Sequence, residues 1–452
     1  MRTKMLVALN VVGWMALAAP AVAETPADDD IGTRPAGAAV MVEKAAPRNA
    51  PSSGGQAVEH RDRIERVERV DRVDEQECAS PGCHPSRGGL VVARDAPSNW
   101  YVLGLGLRSH VDTFIGVATL AAAQSRTERF YGVASLALIR NDAGSHYGLA
   151  QLSLGRNLSD DFGGLTQLSL GENRARHFYG LGQFAVGYSR SVDFRGLFQI
   201  AAYTRARSFA GLVQIGGYNR AGDSFGGALQ LGAYNRSQGA FIGLTQIGAH
   251  NRVDDSFSGA LQVGGYNRTK GDFVGLAQVG FFNAQGKKLY GGSGDDSELW
   301  ALGQFGVHNY ANAFRGLAQV GVIDASRDFS GGVQVGAFAG AKTFRGLAQI
   351  GAGVVTERSY GGQIGGVNLA LEEHTGAQIG AANYAKIVHG AQIGLANVAK
   401  QANGVQIGLF NHAKRLRGLQ IGLLNHADDG VLEWSPILNM GFDEAPMQMG
   451  SL

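Results

Sequence analysis

The chain has 452 residues and only two cysteines. They stand close together in "CASPGCH", Cys78 and Cys83, with His84 following. Two thiols separated by a Pro-Gly turn are placed to close a small disulfide in an oxidising compartment. Covalent haem attachment wants two residues between the cysteines, and here there are four. A metal site would need ligands beyond His84, so a Cys78–Cys83 disulfide is the expectation. Other groups that could do chemistry recur instead of converging. Asp295, Asp296 and Glu298 share one segment and offer either a cation site or a solvated acidic loop. Arg190, Arg205, Arg220, Arg236, Arg252 and Arg268 fall at matching points of a repeat, and His250, His308, His412 and His426 sit at repeat ends. Neither GxSxG, HExxH, a Walker loop nor a dinucleotide fingerprint occurs. The sequence therefore reads as a protein that is not an enzyme and takes no cofactor. A net charge of +2 gives no global attraction to nucleic acid.

The elements that position these groups are copies of one phrase. "SFAGLVQIGGYNRAGD" at 208–223 returns as "SFGGALQLGAYNRSQG" and as "AFIGLTQIGAHNRVDD". Glycine, 68 residues, is about twice as frequent as usual and evenly spread, while proline is scarce at 10. With many Val, Leu, Ile and Phe, this composition reads as β-structure. A Gln, or Thr119 and Ser135 in its place, marks the register from Gln151 to Gln278 and from Gln304 to Gln420, in steps of fourteen to sixteen residues. Twenty units follow, interrupted by an insertion at 284–299.

Read with period two, Phe209, Gly211, Val213, Ile215, Gly217 and Asn219 share an uncharged face. Ala210, Leu212, Gln214, Gly216, Tyr218 and Arg220 share a mixed one. Ten residues at about 3.3 Å span about 33 Å, or roughly 23 Å when tilted by about 45°. That is close to the ~25 Å apolar band of an outer-membrane barrel. The expected fold is thus all-β, an antiparallel transmembrane β-barrel of roughly 22 strands. Gln214, Gln230, Gln246 and Gln262 would line its lumen, and Arg220, Arg236, Arg252 and Arg268 would set its selectivity. The alternative is a β-solenoid, one coil per repeat. It needs a bend inside the apparent strand, for which Gly216-Gly217 is the candidate, and it would stack Phe209, Phe225, Phe241 and Phe257 in one column.

Residues 1–23 read as a signal peptide: Arg2 and Lys4, then "MLVALNVVGWMALAA", then "AVA" ending at Ala23. Residues 24–97 read as a disordered, charged periplasmic segment with a short helix possible at 58–77. Residues 98–442 form the repeat β-domain, and 443–452 a tail.

At "GAQIGLANVAKQANGVQIGLFNHAKRLRGLQIGLLNHADD" the chain resembles bacterial cell-envelope surface-repeat proteins with tandem Gly-x-Gln-Ile-Gly-x-x-Asn units. The likeness is specific over 361–428 and looser back to about residue 114. It implies export to the envelope of a Gram-negative bacterium and brings no functional residue with it. The expected function is a structural or porin-like passive channel in the outer membrane, in contact with lipid and small solutes. The alternative is a secreted or surface solenoid acting as an adhesin or scaffold toward surface ligands.

Overall fold

The computed structural model describes residues 90–91, 103–288 and 294–442. The chain divides into two compact units, Met1–Cys83 and His84–Leu452, and every described residue belongs to the second. The signal peptide, the helix at 58–77 and the Cys78–Cys83 pair lie outside the described residues.

Local sequence explains the path of one coil. Around residue 209 the chain alternates inward and outward until it bends at Gly211-Leu212 and again at Gly216-Gly217. At each bend two consecutive residues face out, so the parity of the strand flips. Phe209, Gln214, Asn219 and Ala221 therefore all point into the interior and are at most 1% exposed. Leu212, Val213, Ile215, Gly217 and Tyr218 face outward. The uniform period-two reading fails here because it carried one parity across two corners. The bend at Gly216-Gly217 is the one that a coil requires.

Successive repeats pair in parallel and in register: Tyr218 with Tyr234, Phe225 with Phe241, Gln230 with Gln246. The same pairing runs from Leu103–Ile115 against Ala118–Ala137 onward. An up-and-down barrel needs antiparallel neighbours, so the barrel expectation is overturned. The fold is a β-solenoid of twenty coils. Among the described residues, antiparallel pairing occurs at the two ends alone. Leu90–Val91 lies against Leu103–Ile115, and Trp434–Gly441 lies against the end of the long strand Phe338–Ala427. These strands cover the otherwise open edges of the first and last coils.

Three columns fill the interior. The first is aromatic. Phe209, Phe225, Phe241, Phe257 and Phe273 stack face over face, with ring centroids 4.7–4.8 Å apart and planes within 4°. His146 replaces one ring between Phe130 and Phe162. Beyond Phe344 the column shrinks to Ser359, His374, Val388, Ala402 and Leu416, all buried. The coils shorten in step. Glycines at 361, 376, 390, 404 and 418 take φ of +132° to +140°, a conformation cheap only for glycine. Each fully buried Phe contributes about 2–3 kcal/mol by burial, and stacking adds to it.

The second column is an unbroken amide ladder. Each Gln donates Nε2–H to Oε1 of the Gln one coil earlier, from Gln167 on Gln151 (2.7 Å) to Gln420 on Gln406 (2.7 Å). The insertion does not interrupt it, since Gln304 donates to Gln278 at 2.7 Å. The third column is Asn, polarised the opposite way. Asn219 donates to Asn235, Asn235 to Asn251 and Asn251 to Asn267, each at 2.8 Å. The second N–H of these amides satisfies a backbone carbonyl, as from Asn235 to Ile247. A buried amide would be costly alone; here both ladders leave few groups unmatched.

Candidate functional site

The structure separates the residues that the sequence singled out. Gln214, Gln230, Gln246 and Gln262 are completely buried in the ladder, so they line no lumen. The channel reading of these glutamines falls with the barrel. Arg220, Arg236, Arg252 and Arg268 lie on an outer side in parallel register. They form a column and not a ring at a pore mouth. Arg236, Arg252 and Lys270 converge on Asp254 at 2.8, 2.8 and 2.7 Å. Burial works against the Asp254 charge, but hydrogen bonds from Lys270, Arg252 and Arg236 outweigh it and hold the carboxyl at about 2. Arg205 and Arg220 have no ion pair among the described residues.

Among the described residues of the acidic segment, Asp295 and Glu298 already hold protein partners. Asp295 is buried and accepts from the backbone N–H groups of Lys287, Lys288 and Ser297 and from the Ser297 hydroxyl. These bonds close the insertion on itself, and Asn312 Nδ2, donating to the Asp295 backbone carbonyl, ties it to the next coil. Glu298 pairs instead with Arg315 at 3.0 Å and with the Trp300 indole.

What period two concealed is one outer side of the coil. It runs from two residues before each register position to three after: residues 149–154, 165–170, 181–186 and so on to 418–423. In all twenty coils, beginning at 117–122, these six-residue windows contain neither Asp, Glu, Lys, Arg nor His. In each window the register residue is buried and the side chains flanking it face outward. Leu149, Leu165, Leu181, Leu244, Leu302 and Leu347 are 43–77% exposed at the corner, and Ile364, Ile379, Ile393 and Ile407 are 39–42% exposed on the flat. Twenty coils at about 4.8 Å make this side roughly 95 Å long. Soluble monomers rarely show an apolar patch beyond a few hundred Å². Toward the N-terminal end it dips into a groove of about 620 Å³, lined by Leu120, Leu136, Leu152, Leu168, Leu138, Leu154 and Leu170.

Both edges of this side carry aromatic rings and cations. Along one edge Tyr203, Tyr218, Tyr234, His250, Tyr266 and Phe282 stack at 4.6–5.0 Å. The arginine column stands two residues further out. Burial, then Arg252, lowers the affinity of His250 for a proton. The opposite edge has Tyr131, Tyr147, Tyr179 and Trp300, with Arg195 over the Tyr179 ring at 5.4 Å.

The described residues thus form a parallel β-solenoid with one long uncharged side. No family model, no curated protein and no solved structure matches the chain.

Proposed function

We propose that this chain is a non-enzymatic β-solenoid of the bacterial cell envelope, a rigid scaffold that lies along a lipid surface through its uncharged side. The observation that carries the reading is the absence of any charge from that side in twenty consecutive coils, with aliphatic side chains exposed throughout. The edges favour lipid over a purely apolar partner. Tyr and Trp rings beside Arg side chains suit the boundary between acyl chains and phosphate headgroups. Arg205 and Arg220, without acidic partners, are placed for phosphate. The export signal read at 1–23 assigns the lipid to the envelope. The charged sides then face away and serve as the scaffold or adhesive surface.

Cosedimentation of the full chain with vesicles of phosphatidylcholine and phosphatidylglycerol tests this. The parent should pellet with the vesicles. A variant with Leu165, Leu181, Leu197 and Leu212 changed to Asp should stay in the supernatant at least ten-fold more, with unchanged circular dichroism and Tm. Equal binding by both, or no binding by the parent, would refute the reading. A parent dimer that the same variant dissociates, without vesicle binding, would reassign the side to a second copy of the chain.

A further inference from the structure

We propose that His412, His426 and Asp428 bind one divalent transition-metal cation, with zinc the best match, at the C-terminal end of the solenoid. The two histidines occupy equivalent positions of neighbouring coils, directly after Asn411 and Asn425, where Arg220 and Arg236 stand further back along the chain. Their ring centroids are 4.8 Å apart, yet the two Nδ1 atoms are only 2.7 Å apart. The rings are therefore turned so that these nitrogens face each other. Equivalent atoms of a simple stack would keep the centroid spacing. Facing nitrogens must share one proton, because two N–H groups would collide. Asp428 brings a carboxylate oxygen to 3.6 Å from His426 Nδ1, and the three ligand atoms lie within 4.8 Å of one another.

Two imidazoles and a carboxylate are a zinc-type donor set. The ion would take the place of the shared proton, which moves through solvent to Nε2 of the ring that carried it, so both ligands stay neutral imidazoles. The nitrogens would part from 2.7 Å to roughly 3.3 Å, as a tetrahedral ion with bonds of ~2.0–2.1 Å requires. The other charged groups facing the site are Lys414 on the neighbouring coil and Glu433, whose Oε1 lies 3.8 Å from His426 Nε2. Trp434 of the closing strand covers the His426 ring at 4.1 Å. His426 is mostly covered while Asp428 is exposed, so the site is held from below and open to solvent above. A bound ion would tie the last two coils to the turn that leads into the closing strand. This site is independent of the lipid reading.

The test is a calorimetric titration of the full chain with Zn²⁺, with Cys78 and Cys83 changed to Ser to remove competing thiols. One site per chain is expected, with a raised Tm. Asp428→Asn should weaken binding by about ten-fold. His412→Phe/His426→Phe should abolish both binding and the Tm rise. It keeps an aromatic ring in a column that already accepts Tyr384, so the metal-free fold should be retained. Absence of a saturable site in the parent, or a site unchanged in the double Phe variant, would overturn the proposal.

Discussion

Among single residues, Asp324 departs most from its neighbours. It ends the first run of the Asn ladder, which resumes at Asn368, and it accepts from Asn309 Nδ2 at 2.7 Å and is 1% exposed. Burial pushes its carboxyl up from 3.8 to about 7, partly offset by hydrogen bonds from Asn309 and the Gly321 backbone. Between those values the folded chain holds a proton that the unfolded chain has lost. Stability attached to this group is therefore greatest below about pH 4, declines as pH rises, and levels off above about 7. Asp324→Asn removes the titration and keeps the acceptor oxygen. Thermal melts from pH 4 to 8 should show the parent losing stability relative to this variant, by on the order of 2–4 kcal/mol at pH 8. Parallel profiles would dismiss the idea. Nothing in the sequence marked Asp324, because its burial depends on which parity survives two corners.

In the coil, the corners decide what each residue does. The recurrence of Gln, Asn and Phe was legible, and so was the need for a bend at Gly216-Gly217. Facing was not. Ile215 and Gln214 differ in environment in the way alternation demands, yet Phe209 and Gln214 share the interior against it. The column of glycines two residues after Gln shows the steric reason. A Cβ at Gly248 would lie 2.2 Å from the Gly232 carbonyl and 2.5 Å from Asn235 Nδ2, both fixed by the coil before. At Gly265, just outside the corner, the nearest atom is the Ala249 carbonyl at 3.0 Å. Gly248→Ala should cost several kcal/mol, and Gly265→Ala about 1 kcal/mol or less. Chemical denaturation of the two variants checks this, and equal losses would remove the corner argument.

For the whole solenoid, the strand-length estimate favoured a barrel because it treated ten residues as straight. Parallel pairing could not be read from a single repeat, since Phe at matching positions suits both architectures. Once coils stack, stability is nearly a sum over neighbours, and the ends become the weak points. The strand Trp434–Gly441 covers the last coil through seven paired residues, from Gly418–Gly441 to His426–Trp434. Removing residues 430–442 should expose that edge and drive end-to-end association. Analytical ultracentrifugation across a concentration series should then reveal species larger than the parent forms. An unchanged distribution would mean that the last coil protects its own edge.

The insertion between Gln285 and Ser297 has one more implication. It adds about ten residues to one coil, and the amide ladder passes beneath it at its ordinary 2.7 Å. The corner facing away from the uncharged side is thus a splice point, where foreign sequence can be carried without the rungs above and below registering its presence. A lineage of such coils could change the sequence carried at that corner while leaving the uncharged side untouched.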